Sequence, residues 1–183
     1  GYKCEHNNCK KVELTAENKM TAVSLAVCSL YCNEDIGTVW PKPTGNVQLS
    51  NEVVKINPSG IHFKTESFKK EPAYWTLATE RFLQMQNKKI PTKYSIKSGG
   101  KSLTVEVTAD SDDMAVDLET HEGYLLKISD NGEGVQAVIT AKNFYGIRHG
   151  LETLSQLIVY DNIRNEMLTV GAAEIEDEPK FKY

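Results

Sequence analysis

The chain has 183 residues, a net charge of −4, 40% hydrophobic and 25% charged residues. This is an ordinary globular balance, long enough for one domain with an appendage. No basic stripe of the kind nucleic-acid binders carry is present. No apolar run approaches the ~20 residues of a membrane helix; the longest, Ala22 to Leu30, is interrupted by Ser24, Cys28 and Ser29.

All four cysteines, Cys4, Cys9, Cys28 and Cys32, lie near the start. An even, clustered set reads as a small disulfide framework, for which three pairings are open. The Ala-, Leu- and Val-rich segment Thr21 to Tyr31 predicts a helix, which places Cys28 and Cys32 one turn apart on one face. Nested bridges Cys4–Cys32 and Cys9–Cys28 then staple the first segment along that helix, in an oxidising compartment. The competing arrangement is a four-cysteine zinc site, for which the spacing of Cys28 and Cys32 suits and that of Cys4 and Cys9 is long. The appendage is expected to occupy residues 1–37, with Trp40-Pro41-Lys42-Pro43-Thr44-Gly45 as a rigid link, since proline fixes φ and extends its predecessor.

From Asn46 the periodicity is two. Val53 and Ile56, then Ile61 and Phe63, predict two antiparallel strands joined by an Asn57-Pro58-Ser59-Gly60 turn. Pro72 opens an amphipathic helix whose inward face is expected to be Tyr74, Ala78, Phe82 and Met85, broadened by Trp75 and Leu83, ending near Lys89. Lys69-Lys70 and Lys88-Lys89 read as solvated helix ends. Leu103, Val105 and Val107 alternate as a strand. Tyr124–Ile128 and Val135–Ala141 flank the turn 130–134 as a hairpin. Asn143 is a predicted N-cap for a helix whose stripe is Phe144, Ile147, Leu151, Leu154 and Ile158. An extended segment through Leu168 and Val170 leads to the acidic stretch Glu174–Pro179. The fold class is α+β: a mixed or antiparallel sheet with two helices packed on it. The main domain is assigned to 38–178, with 179–183 as a link onward.

Chemistry is sparse. His6, His62, His121 and His149 have no metal-helix spacing, and His62 is expected to face solvent. Asp110, Asp112 and Asp113 lack the ordered ligand series of a calcium loop. There is no Gly-x-Ser-x-Gly elbow, no phosphate loop and no acid/base carboxylate pair. Trp40 and Trp75 could stack on a sugar; packing is the simpler role for both. No cofactor, metal or catalytic residue is assigned within the segment.

Three stretches together, Gly37–Gly45, Asn143-Phe144-Tyr145-Gly146-Ile147-Arg148-His149-Gly150-Leu151-Glu152-Thr153-Leu154-Ser155-Gln156-Leu157 and Asp177–Tyr183, resemble the N-terminal region of family 20 glycoside hydrolases, the β-N-acetylhexosaminidases. The cysteine-rich start is similar to the insect chitooligosaccharidolytic branch. The resemblance covers essentially the whole chain and implies a zincin-like α+β domain followed by a (β/α)8 catalytic barrel. That barrel would carry the family's Asp-Glu pair and its sugar-binding arginine, and would work by a retaining, substrate-assisted mechanism. It implies a secreted or lysosomal glycoprotein acting on chitooligosaccharides or, alternatively, on N-glycans, with the barrel as the domain's partner and a homodimer as a further expectation. In one departure, the step before Tyr124 reads Glu122-Gly123 where the family often has an acidic residue and serine. A stand-alone carbohydrate-binding module, using Trp40, Tyr74 and Trp75, is the alternative outside the enzyme class.

Overall fold

The computed structural model describes residues 1–6, 8–18, 21–32, 43–50, 52–91, 99–111 and 123–178. Trp40, Asp112, Asp113, His121, Glu122 and the link 179–183 lie outside the described residues.

The chain opens with a hairpin of β1 (Tyr2–Glu5) and β2 (Asn8–Lys11), in which Cys4 faces Cys9. A helix, α1 (Leu25–Cys32), follows; it begins four residues later than the composition suggested. Ser24 explains the late start, because its Oγ accepts from the Val27 amide as a cap does. The structure joins Cys4 to Cys32 and Cys9 to Cys28, with Cα separations of 5.5 and 5.9 Å.

Eight further strands form one mixed sheet: β3 (Val47–Leu49), β4 (Val53–Thr65), β5 (Lys101–Ala109), β6 (Tyr124–Asp130), β7 (Gly134–Ala141), β8 (Ile158–Asp161), β9 (Glu166–Val170) and β10 (Ala173–Asp177). Their spatial order is β3-β10-β6-β7-β5-β4-β9-β8. The pairs β4–β5 and β5–β7 are parallel and the others antiparallel. The expected hairpin at 57–60 does not form. Instead β4 is one strand of 13 residues that changes partner: Val53–Ile56 pair with β9, and Ile61–Thr65 with β5. Asn57 to Gly60 sit at the register shift between the two ladders. Proline's missing N–H costs no ladder bond there, so a turn-like sequence fits inside a strand.

Two helices cover one face of this sheet. The first, α2 (Pro72–Lys89), has the predicted boundaries but a different inward face. Phe82 and Gln86 are buried, while Tyr74 and Met85, predicted to face inward, are 53% and 43% exposed. Trp75 packs instead on Phe63 and Phe68, with ring centroids 5.9 and 5.8 Å apart. Phe68 fills this corner at 1% exposure, with φ at +63°, an unusual setting for a bulky side chain.

The second, α3 (Phe144–Gln156), starts at Asn143, whose Oδ1 accepts from the Gly146 amide at 3.1 Å. It stops two residues before Ile158, which the stripe had included and which instead begins β8. Ile147, Leu151 and Leu154 face the sheet on Leu126, Ala137, Ile139 and their neighbours. The approach is unusually close. A Cβ on Gly146 would stand 2.4 Å from the Gly123 carbonyl oxygen and 2.6 Å from the Ala141 methyl; one on Gly150 would stand 2.5 Å from Ile139 Cγ2. The Tyr124 hydroxyl, buried under α3, bonds Thr153 and ties β6 to the helix. Burial is the main cause pushing that phenol up to about 12.

The appendage is not free of this layer. Its α1 packs on β8 and β9, and Leu30 joins the main core. The turn after β8 is built on Asp161, which is fully buried, accepts from the Ile163 amide and pairs with Arg164 at 3.2 Å.

Gly146→Ala is expected to lower stability by about 1–3 kcal/mol, the usual cost of overpacking a filled interior, despite alanine's better helix propensity. Urea unfolding of the two proteins measures it; an unchanged midpoint would show that α3 can lift away from the sheet freely.

Candidate functional site

On the side away from the sheet, α2 and α3 leave an open groove of about 260 Å³ between them. Its floor is Phe82, Phe144 and Leu151, side chains that also belong to the core. One wall is Tyr74, Leu77 and Met85 of α2, and the other is Arg148 and Glu152 of α3, with Arg81 also at the lining. Tyr74, Leu77 and Met85 are three of the five large hydrophobic side chains that are exposed among the described residues. Tyr74 leans on Phe144 with ring centroids 6.1 Å apart.

The groove holds one carboxylate, Glu152, and two guanidinium groups. Direct acid/base hydrolysis of a glycoside uses two carboxyl groups flanking the bond, so this lining does not offer that chemistry. An apolar floor with a charged rim is the composition of a packing surface.

At the far end of the two helices lies a polar cluster in which Gln86 and Ser155 are buried and Lys89 is half-buried. Lys89 Nζ donates to Gln86 Oε1 at 2.7 Å, Ser155 O at 2.5 Å, Ser155 Oγ at 3.3 Å and Ile158 O at 2.8 Å. Gln86 Nε2 in turn donates to Ser155 Oγ at 2.9 Å and to Phe82 O at 3.1 Å. Lys89 of α2 therefore caps the carbonyl end of α3, the negative pole of that helix. This corrects its reading as a solvated helix end: only Lys88 of that pair is exposed. Partial burial of its ammonium pushes the Lys89 pKa down to about 8.

The other sequence candidates disperse. His62 is exposed on β4, as expected, and His6 is exposed at the tip of the first hairpin. His149 stands on α3 beside Glu152, with 3.9 Å between Nδ1 and Oε2. Asp110 is exposed just past β5, its amide bonded to Ala141 O. The sulfurs of Cys9, Cys28 and Cys32 lie within 4.8 Å of one another, but each cysteine is in a covalent bridge, which leaves no thiolate for zinc in this arrangement. Leu77 and Arg81 were not singled out from the sequence. The signal for them was an apolar arc on α2 wider than one sheet contact needs: Tyr74, Leu77 and Met85 in addition to Trp75, Ala78 and Phe82.

The fold and groove define an α+β layer with one partly uncovered helical face. Comparison with known proteins places it. The family described as beta-acetyl hexosaminidase like matches residues 39–157. The chain is 39% identical over its full length to a chitooligosaccharidolytic beta-N-acetylglucosaminidase of Bombyx mori and 37% identical to one of Ostrinia furnacalis. It spans 31% of the length of each relative. A chitobiase of Flavobacterium johnsoniae shares the fold, with a TM-score of 0.53 at 19% identity over 80% of this chain and 21% of that one. This chain belongs to the beta-acetyl hexosaminidase-like family, the domain found in glycoside hydrolase family 20 enzymes.

The Lys89 cluster has a pH signature. The folded pKa, about 8, lies below the unfolded value of about 10.4, so between them the unfolded chain binds more protons. The stability of the native protein, measured against Lys89→Met, is expected to rise from pH 8 and level off near pH 10.4. Paired urea midpoints across that range test it; a difference flat with pH would mean that the four oxygen acceptors hold the ammonium charged in the fold.

Proposed function

We propose that this segment is the non-catalytic N-terminal brace of a secreted β-N-acetylglucosaminidase. The parent enzyme releases terminal N-acetylglucosamine from chitooligosaccharides by a retaining, substrate-assisted mechanism, and its reacting groups lie in a barrel beyond this chain. The observation that carries the reading is the groove: exposed Tyr74, Leu77 and Met85 over a continuous apolar floor call for a covering surface. The family match and the share of the relatives' length left over supply one, the remainder of the same enzyme. The names of the two insect relatives favour chitooligosaccharide over N-glycan as substrate. The paired cysteines favour an oxidising compartment. Within these residues the one Asn-x-Ser/Thr triplet is Asn57-Pro58-Ser59, which proline disqualifies as an acceptor; N-glycans of the parent belong outside the segment.

The 183-residue chain alone is expected to show no hydrolysis of a chromogenic N-acetylglucosaminide, and the longer parent to be active. Leu77→Asp in the parent is expected to cost about 2–4 kcal/mol of stability, by placing a charge in a closed apolar contact. The same change in the isolated chain, where the site is open to water, should cost under about 0.5 kcal/mol. Activity from the isolated chain, or indifference of the parent to Leu77→Asp, rejects the reading. Reduction under denaturing conditions should raise the mass by about 4 Da, two hydrogens per bridge; a zinc-dependent mass instead overturns the disulfide assignment.

A further inference from the structure

Two of the stretches that carry the family resemblance, 37–45 and 177–183, stand at opposite ends of the main domain, and their described residues meet in space. The Thr44 amide donates to Asp177 Oδ1 at 3.0 Å, and the Thr44 hydroxyl donates to the same oxygen at 3.2 Å. That hydroxyl also accepts from the Glu178 amide at 3.1 Å. Beside them the Gly45 amide donates to Glu176 O at 3.0 Å, and the Glu176 amide to Asn46 O at 2.8 Å. Thr44 is 133 and 134 positions from its partners Asp177 and Glu178.

The reason for side chains here is the shortness of β3. Its ladder with β10 covers only Val47–Leu49 against Ala173–Ile175. Thr44, Gly45 and Asp177 prolong that pairing past the end of the strand, up to the last described residue. Gly45 is required by the close approach: a Cβ there would stand 2.5 Å from Glu176 O. Pro43, buried just before, fixes the backbone direction on the incoming side.

The position of the clasp gives it a consequence. Asp177 lies opposite Tyr124, and Tyr124 opposite Ala141, so the chain leaves the sheet at the end where β7 passes into α3. Phe144 and Tyr74, at that end of the helices, line the groove. Each unclasped residue between sheet and next domain would add two soft dihedrals to the junction.

We propose that Thr44, Gly45 and Asp177 are positioning residues for the junction between this domain and the rest of the enzyme. The clasp fixes the direction in which the chain leaves, so that the next domain is delivered onto the α2–α3 groove. This rests on the reading that the next domain is a catalytic barrel.

The test uses the longer parent chain with Thr44→Val, Asp177→Ala and Asp177→Asn, the last of which keeps an oxygen acceptor. Hydrogen exchange of the Thr44 and Glu178 amides, and of the residues just after Glu178, is expected to accelerate about tenfold in Thr44→Val and Asp177→Ala, as for local opening, with β5–β7 unchanged. In the same two variants kcat on a chromogenic N-acetylglucosaminide should fall about threefold to tenfold, with Asp177→Asn near the native value. Opened amides with an unmoved kcat would overturn the positioning role. So would β5–β7 exchanging faster in step, which marks general destabilisation, or unchanged exchange after Glu178. An inactive native parent counts against the proposed function instead, and leaves the exchange result to decide whether the clasp holds the junction.

Discussion

The close seat of α3 on the sheet is the contact that the other features presuppose. With hydrogens at Gly146 and Gly150 where other residues carry a Cβ, the helix backbone comes down onto Ala141, Ile139 and the Gly123 carbonyl. Ile147 and Leu154 are then fully buried, and the Tyr124 hydroxyl reaches Thr153. With α3 at that height, Phe144 meets Phe68 with ring centroids 5.4 Å apart, and Ser155 meets Lys89 and Gln86 of α2. The groove and the polar cluster at its far end are two consequences of one packing distance.

The two ends of the helix pair are held by different means. At the α2 start the contact is aromatic, with Phe63, Phe68, Trp75 and Phe144 meeting edge-on or tilted. At its end the contact is polar, a lysine and a glutamine satisfied by backbone and hydroxyl oxygens. A buried polar network of this kind tolerates less sliding than an apolar seam, because a shifted donor loses its partner outright. The pair is thus built to hold a fixed surface.

The appendage obeys the same logic at smaller scale. A hairpin of four-residue strands and an eight-residue helix cannot bury enough apolar surface to stand alone. Two bridges tie hairpin to helix, and Leu30 carries the unit into the main core. Entropy lost once, in the unfolded chain, substitutes for contacts this short segment cannot make.

Much of the fold was legible in the residues alone. Period-two runs identified β5, β6 and β7, and Pro72 and Asn143 marked where two helices begin, since these depend on local backbone chemistry. The family resemblance was legible because three stretches, Gly37–Gly45, Asn143–Leu157 and Asp177–Tyr183, occur in that order in the sequence. Other features were decided by tertiary structure. The Asn57–Gly60 segment has turn composition, yet it lies within a strand because β9 and β5 hold its two sides. Lys89 looks solvated in sequence and is half-buried because Ser155 and Ile158, 66 and 69 positions away, bring carbonyls to it. Tyr74 and Met85 continue an apolar stripe, and only the sheet's limited reach leaves them uncovered. The sequence by itself determined strands β5, β6 and β7 and the starts of α2 and α3, because period and capping are local. Partner choice, helix rotation, the groove and the Thr44–Asp177 clasp depend on residues distant in the chain, and no local pattern encodes which of them will meet.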